Sequence, residues 1–408
     1  MSWRQGILPQ GGQQSVAILL FCVLALASIG IVMVASASIA FAADVYDDPW
    51  FFLKRHLIFL SLGIAVAAIV SQIPLSVWSR LSWPLLFFSC LLLLLVLIPG
   101  IGREVNGSRR WLMFGPVTVQ PAEVAKFCML IFFASFLTRR NQRLRHWSSF
   151  MVPVVILAWV AALLLLQPDF GSVVVISGTA LAMVFLAGAR LPHTFALVGL
   201  AAGALVVMAL VSPYRLQRLT TFLDPWRDQF ASGYQLTQSL IAFGRGEWFG
   251  VGLGNSVQKL FYLPEAHTDF IFAILSEEWG LAGGLLVISL FALLTWSLLR
   301  LVRSALDRGE IFPALLAFGI AVLLASQAFV NMGVASGLLP TKGLTLPFVS
   351  SGGSSLVVCC ALFALALRVQ MEVSQSAAGK KSPKGVARPL PIVNPVQLGD
   401  RQLEGEAA

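Results

Sequence analysis

Uninterrupted apolar stretches of about 20 residues restrict this chain most, because that is the length of helix needed to cross the hydrocarbon core of a bilayer. Such runs, bounded by charge or by Pro/Gly clusters, fall at 15–41, 56–74, 84–99, 117–138, 151–168, 171–189, 194–212, 268–299, 311–336 and 345–368. Their apolarity is continuous, without period-two alternation, which favours helices over a membrane barrel. The expectation is an all-α polytopic membrane protein with ten transmembrane helices. Composition agrees: of 408 residues, 58% are hydrophobic and 12% charged, and the mean hydropathy of +0.84 excludes a soluble enzyme. The first run, Val16 to Ala42, is too long for the apolar region of a signal peptide and is read as a span.

Lys/Arg bias sets the orientation. With the N-terminus inside, the inner connections hold Arg80, Arg139, Arg140, Arg143, Arg145, Arg190, Arg300, Arg303 and Arg308, and both tails add more. The outer loops hold Lys54, Arg55, Arg103, Arg109, Arg110 and Lys342. Both termini are expected in the cytoplasm. The net charge of +9 is read as cytoplasmic Lys/Arg and anionic ligands, not as nucleic-acid binding. The expected organisation is a cytoplasmic tail at 1–14, a membrane domain at 15–370 and a disordered, Pro/Ser/Lys-rich cytoplasmic tail at 371–408. One large extracytoplasmic loop, 213–267, carries an amphipathic stretch at 235–243 and the glycine-rich run Phe249 to Gly254.

Four polar clusters interrupt the apolar pattern, and on this orientation all open outward. Glu123 and Lys126, three residues apart, share one helix face. They make either a neutralised buried pair or a lysine facing an anion-lined cavity. Asn106-Gly107-Ser108-Arg109-Arg110-Trp111 offers two guanidinium forks beside an aromatic ring, suited to diphosphate and sugar or to lipid headgroups. Glu265, His267 and Asp269 gather proton acceptors where the long loop enters a helix. Asp269 is a helix cap or a base, and a helix N-terminus would favour its ionised, weakly basic form. The run Leu339 to Ser355, with Lys342 and Ser354, leaves amides for an anion or spends its serines on its own backbone.

At these motifs the chain resembles the SEDS family of bacterial membrane proteins (shape, elongation, division and sporulation) over about residues 15–370. Within it, the chain resembles the cell-division branch more than the elongation branch. The resemblance rests on Gly102 to Trp111, Gln120 to Lys126, Tyr262 to Phe270 and Leu339 to Ser355, with Lys342 in Pro-Thr-Lys-Gly-Leu-Thr-Leu-Pro-Phe favouring the division branch. Ala122, Trp279 and Ser351 depart from the usual Ser, Leu and Tyr.

The resemblance implies the ten-helix SEDS fold and a peptidoglycan glycosyltransferase. Such an enzyme polymerises lipid II into β-1,4-linked glycan strands at the division septum of the cytoplasmic membrane, with inversion and release of undecaprenyl pyrophosphate. Asp269 aligns with the family's catalytic aspartate, and Glu123 and Lys126 with its paired residues of the fourth helix. Arg109, Arg110, Trp111, Glu123, Lys126, Glu265, His267, Lys342 and Ser354 are the implied substrate-binding set, and a divalent cation, magnesium or manganese, is the candidate cofactor. Implied partners are a class B penicillin-binding protein (FtsI-like) and the FtsQ, FtsL, FtsB and FtsN-like division proteins. A lipid II flippase and a non-catalytic division scaffold are the competing functions.

Overall fold

The computed structural model describes residues 10–105, 107–115, 117–140, 147–189, 192, 196, 199, 203, 221–340 and 343–378. Nine apolar helices among them match nine of the ten expected spans: α1 (Gln10–Tyr46), α2 (Phe51–Gln72), α4 (Ser82–Leu95), α5 (Pro121–Arg140), α6 (Trp147–Leu166), α7 (Phe170–Leu186), α9 (Ile271–Leu306), α10 (Ile311–Ala335) and α11 (Gly353–Ala378). The expected span at 194–212 falls almost wholly outside the described residues. A one-and-a-half-turn helix, α3 (Leu75–Arg80), joins α2 to α4, and α8 (Tyr234–Gly246) lies in the long loop.

Burial grades the helices from rim to centre. The best membrane window of α2 is 22% buried and that of α5 is 83% buried, so α5 is the axis of the bundle. The starts of α5, α7, α9 and α11 share one end with the finish of α10. Hydrogen bonds confirm the grouping: Ser354 to Thr118 and Gln120, Gln120 to Asp169, and Asn331 to Asp269. The opposite end ties Arg139 to Ser79, Leu75 to Glu372 and Arg308 to Val373.

Three features depart from the sequence expectation. The expected outer loop before the fourth span, together with the span's first residues 117–119, forms a three-stranded antiparallel sheet, β1 (Gly102–Val105), β2 (Ser108–Phe114) and β3 (Val117–Val119), in the order β1-β2-β3. Val105 pairs with Ser108 and Gly107 takes a positive φ of 72°, so β1 and β2 are joined by a tight hairpin turn, while Pro121 starts the helix. The C-terminal helix runs past residue 370 to Ala378 because its last turns are docked: Val373 is buried, and Glu372 accepts from Leu75 N and from Arg368. The third departure is a break in α9. Gly280 has φ 66° and ψ −164°, and it separates Ile271–Trp279 from the run Leu281–Leu306, which at about 1.5 Å per residue is alone long enough to span.

That break is held by the glycine-rich run. Val251 N and Gly252 N donate to the carbonyls of Glu277 and Glu278, and Leu281 N and Ala282 N donate to those of Glu247 and Trp248. A Cβ on Gly280 would stand 2.4 Å from Gly250 N, so only glycine lets the two backbones meet. Beneath it, buried Glu277 accepts from Ser256 Oγ and Val257 N and forms an ion pair with Arg245 at 3.3 Å, and buried Glu278 pairs with Lys259 at 2.7 Å and accepts from Ser36 of α1. The long loop is therefore a packed part of the domain.

Candidate active site

Strand β2 places its two arginines differently. Arg103 pairs with Trp111 but Glu104 with Arg109, so Arg110 is the extra residue of a β-bulge, and a bulge re-aims its side chain out of the pleat. Its guanidinium reaches the turn before α7, with Nε 3.0 Å from the carbonyl of Gln167 and a second nitrogen on that of Pro168. Arg109 faces Glu104 directly and pairs with it at 3.1 Å on the exposed side of the sheet. Trp111 is half-buried opposite Arg103. The expected double fork is thus one inward arginine and one surface ion pair.

Asp269 precedes α9 without capping it: no side chain caps the helix at Phe270, and the amides of Ala273 and Ile274 donate to the Phe270 carbonyl. Its backbone carbonyl accepts from Asn331 Nδ2 at 2.8 Å, which fixes where the side chain starts. No donor among the described residues bonds its carboxylate, and Oδ2 lies so close over Gly343 that a Cβ there would stand at 2.7 Å. Burial, then the negative charge of Glu265, push the carboxyl up to about 7; Arg110 opposes them and Asp169 adds to them. Desolvation thus outweighs what the helix terminus contributes, and the carboxyl stands above the range of the well-ionised, weak base expected from sequence.

The neighbours of Asp269 are held in turn. Glu265 is exposed, with φ 57°, and accepts from Thr268 Oγ1 at 2.6 Å. His267 lies between Phe52 and Phe41, with ring centroids at 4.3 and 6.0 Å, and burial holds its imidazole below the usual range. Its carbonyl accepts from Ser351 N. The histidine is thus a packing and backbone anchor.

Glu123 and Lys126 form the buried pair, not the open lysine. Nζ lies 2.6 Å from Glu123 Oε1 and 3.0 Å from Gln327 Oε1, and the lysine side chain is 1% exposed. The cavity it borders encloses about 10 Å³ among apolar side chains, room for no more than a water. Gln327 passes the contact on, donating to Thr345 O at 3.1 Å, and Thr345 Oγ1 bonds Ser355. Ser354 accepts from Gln120 N at 3.0 Å and donates to Thr118 O at 3.2 Å, pinning α11 to the sheet. Ser350 donates to Thr268 O and accepts from Leu346 N, so this serine, like Ser354, is spent on backbone. Lys342 lies outside the described residues.

Asp269, Glu265, Arg110 and Gly343 therefore meet at one end of the bundle, while Arg109 stands apart and Glu123, Lys126 and Ser354 brace the loop from beneath. Residues 16–375 match the family of FtsW, RodA and SpoVE, described as cell cycle proteins. The chain belongs to that family. Two relatives named probable peptidoglycan glycosyltransferase FtsW are similar over nearly their full length. That of Saccharophagus degradans is 54% identical, covering 86% of this chain and 91% of the relative. That of Coxiella burnetii is 51% identical, covering 87% and 95%. A solved peptidoglycan synthase complex, described as coordinating polymerization and crosslinking, has a TM-score of 0.71 at 32% identity, covering 90% of this chain and 99% of its own. RodA of Thermus thermophilus has a TM-score of 0.66 at 30% identity, covering 91% and 98%. The family is the SEDS family that the motifs resemble, and the chain is a multi-pass membrane protein of it.

Three residues of this site were not singled out from sequence. Asp169 caps α7, accepting from Ser172 N and Oγ, and its charge acts on Asp269. The signal was present as Asp followed three residues later by Ser at the start of an apolar run. Asn331 and Gln327 are amides within an otherwise apolar span, where a polar side chain needs a partner. Among the described residues no three His, Cys, Asp or Glu side chains converge to hold a metal. The donor set around Asp269 does not fit a protein-held cation, and no step below uses one.

Proposed function

We propose that this protein is a peptidoglycan glycosyltransferase that polymerises lipid II on the outer face of the bacterial cytoplasmic membrane during septal wall synthesis, with both termini in the cytoplasm. The observation that carries the chemistry is the Asp269 carboxylate: unbonded among the described residues, half-buried, pushed up to about 7 and set beside Arg110. A base works best when its pKa lies near the working pH. Asp269 takes the proton from the 4-hydroxyl of the acceptor sugar as that oxygen attacks the anomeric carbon of the donor. The new C–O bond forms on the face opposite the departing oxygen, the bond to undecaprenyl pyrophosphate breaks, and its electron pair leaves with the pyrophosphate.

Pyrophosphate leaves as a stable anion, so cations do the work that a second carboxyl does in glycoside hydrolysis. Arg110 is the inward cation, its fork anchored on the 167–168 carbonyls, and Lys342 is assigned to the same anion. Trp111 and the exposed Glu265 are assigned to the substrate-facing rim, Arg109 and His267 support that rim through Glu104 and through packing against Phe41 and Phe52, and Glu123, Lys126 and Ser354 act on substrate through the 343–355 loop they brace. A magnesium or manganese ion, where polymerisation needs one, is assigned to the pyrophosphate of the substrate. Assembly with an FtsI-like transpeptidase and with FtsQ, FtsL, FtsB and FtsN-like proteins belongs to the same proposal.

The test is polymerisation of purified lipid II by the detergent-solubilised protein, wild type against Asp269→Asn, with and without the transpeptidase and a divalent cation. Glycan strands from wild type alone support the assignment. Strands from both variants refute Asp269 as base, and strands from neither, in protein shown to be folded, move the function to a flippase or scaffold.

A further inference from the structure

The end of the bundle opposite Asp269 carries a cavity that the proposed reaction leaves unused. It measures about 180 Å³ and is lined by Ser82 and Trp83 at the start of α4 and by Ser135, Phe136, Arg139 and Arg140 in the last turns of α5. From Pro121 to Arg140, α5 has 20 residues, about 30 Å of rise, so these arginines lie one hydrocarbon thickness from the site that holds Asp269. Trp83 is 39% exposed at this level, stacked edge-on against Phe132, where amphipathic aromatic rings mark the boundary of the bilayer.

The charges in this cavity are uncompensated. Arg139 gives one N–H to the carbonyl of Ser79 at 2.7 Å, and Arg140 lies over the Phe136 ring at 5.2 Å; neither meets a carboxylate among the described residues. Among the described residues no acidic side chain lines the cavity. Its floor is built: buried Ser82 and Ser135 hydrogen-bond each other and Ser79 O, so the hydroxyls are fixed and the pocket keeps its shape. Helix α4 starts here with no side-chain cap on its first turn, and an uncapped N-terminus favours an anion.

We propose that this cavity binds a phosphate ester, the headgroup of an anionic phospholipid of the inner leaflet. Arg139 and Arg140 clamp the phosphate, and Trp83 and Phe136 lie along the first part of the lipid body. Two guanidinium groups supply the donors that phosphate oxygens accept, and an aromatic wall at the membrane boundary suits a lipid better than a free ion.

The experiment reconstitutes the full chain in nanodiscs of phosphatidylcholine mixed with phosphatidylglycerol, releases it, and counts retained lipids by native mass spectrometry. Wild type should retain phosphatidylglycerol in preference to phosphatidylcholine, and retention should fall about fivefold for each arginine removed in Arg139→Gln and Arg140→Gln. Arg139→Lys with Arg140→Lys should keep part of it, and Arg300→Gln, a basic residue near the same end, should change nothing. Inorganic phosphate added in detergent separates two forms of support: competition shows that the phosphate alone is recognised, and its absence shows that the lipid body is needed too. Equal retention of the two lipids by wild type overturns the proposal without any variant, as does unchanged retention in the folded double glutamine variant.

Discussion

The acid limb of the pH–rate profile follows from the burial of Asp269. Its carboxyl moves from the usual 3.8 to about 7, roughly three units, or about 4 kcal/mol of preference for the neutral form. A base must be ionised, so about half of the enzyme is competent at pH 7, about nine-tenths at pH 8 and about a tenth at pH 6. The maximal rate of lipid II polymerisation, measured from pH 5 to 9 at saturating substrate, should therefore fall towards tenfold per unit below 7 and level off above 8. Glu265→Gln removes a negative neighbour that raises the group, so the limb should move to lower pH; Arg110→Gln removes a positive one, so it should move higher. Stability carries the same sign. A raised carboxyl binds its proton more tightly when folded, so folding stability is lost as pH rises from about 4 through 7. Asp269→Asn should therefore melt above wild type at pH 8, and the gap should close by pH 4. A rate limb near 4, or one that Glu265→Gln leaves in place, would refute the electrostatic account even if Asp269 proved essential.

Three further outcomes follow from contacts on the page. Arg110→Ala should depress polymerisation far more than Arg109→Ala, because the latter ends only an exposed pair with Glu104, worth under about 1 kcal/mol; glycan yield from the two variants at equal folded concentration decides it. Lys126→Met should destabilise by about 3–5 kcal/mol by leaving Glu123 charged and buried, and adding Glu123→Gln should recover most of it, read as unfolding in detergent. Gly280→Ala should prevent folding, since its Cβ would meet Gly250 N at 2.4 Å, whereas Gly107→Ala, with nothing within 4 Å, should cost about 1 kcal/mol of backbone strain; yield and melting temperature separate them.

What the sequence made legible followed from strong local physics. Long apolar runs have one solution in lipid, so six helices long and apolar enough to span and three shorter apolar ones fall where spans are expected, and Asp269, Glu265 and Arg110 end within electrostatic reach of one another. The sheet is not legible in the apolar runs, because its strands are short, and its one local signal is Asn106-Gly107, a hairpin dipeptide. With the hairpin goes the bulge that sends Arg110 inward and leaves Arg109 with Glu104, a difference that two adjacent identical residues cannot announce. The ionisation of Asp269 was misjudged for a related reason: a helix terminus is visible in sequence, but the burial that overrides it depends on Gly343 and on elements far apart in the chain.

The last dependence can be tested at one residue. Asn331 donates both to Asp269 O and to Leu344 O, so a single amide holds the backbone of the base and the backbone of the loop lying over it. It touches neither carboxylate oxygen, and it acts as a positioning residue. Asn331→Ala removes two buried bonds, each worth about 1 kcal/mol, and frees Asp269 to shift against Gly343. A shift of the base by about 1 Å is enough to cost about a hundredfold in rate. Polymerisation should therefore lose kcat with KM little changed, while the acid limb stays near 7 because burial and the charges of Glu265 and Arg110 remain. A purely structural role would lower the melting temperature and leave kcat per folded molecule intact. A limb that moves with the substitution would show instead that Asn331 governs the ionisation of Asp269 and not its place.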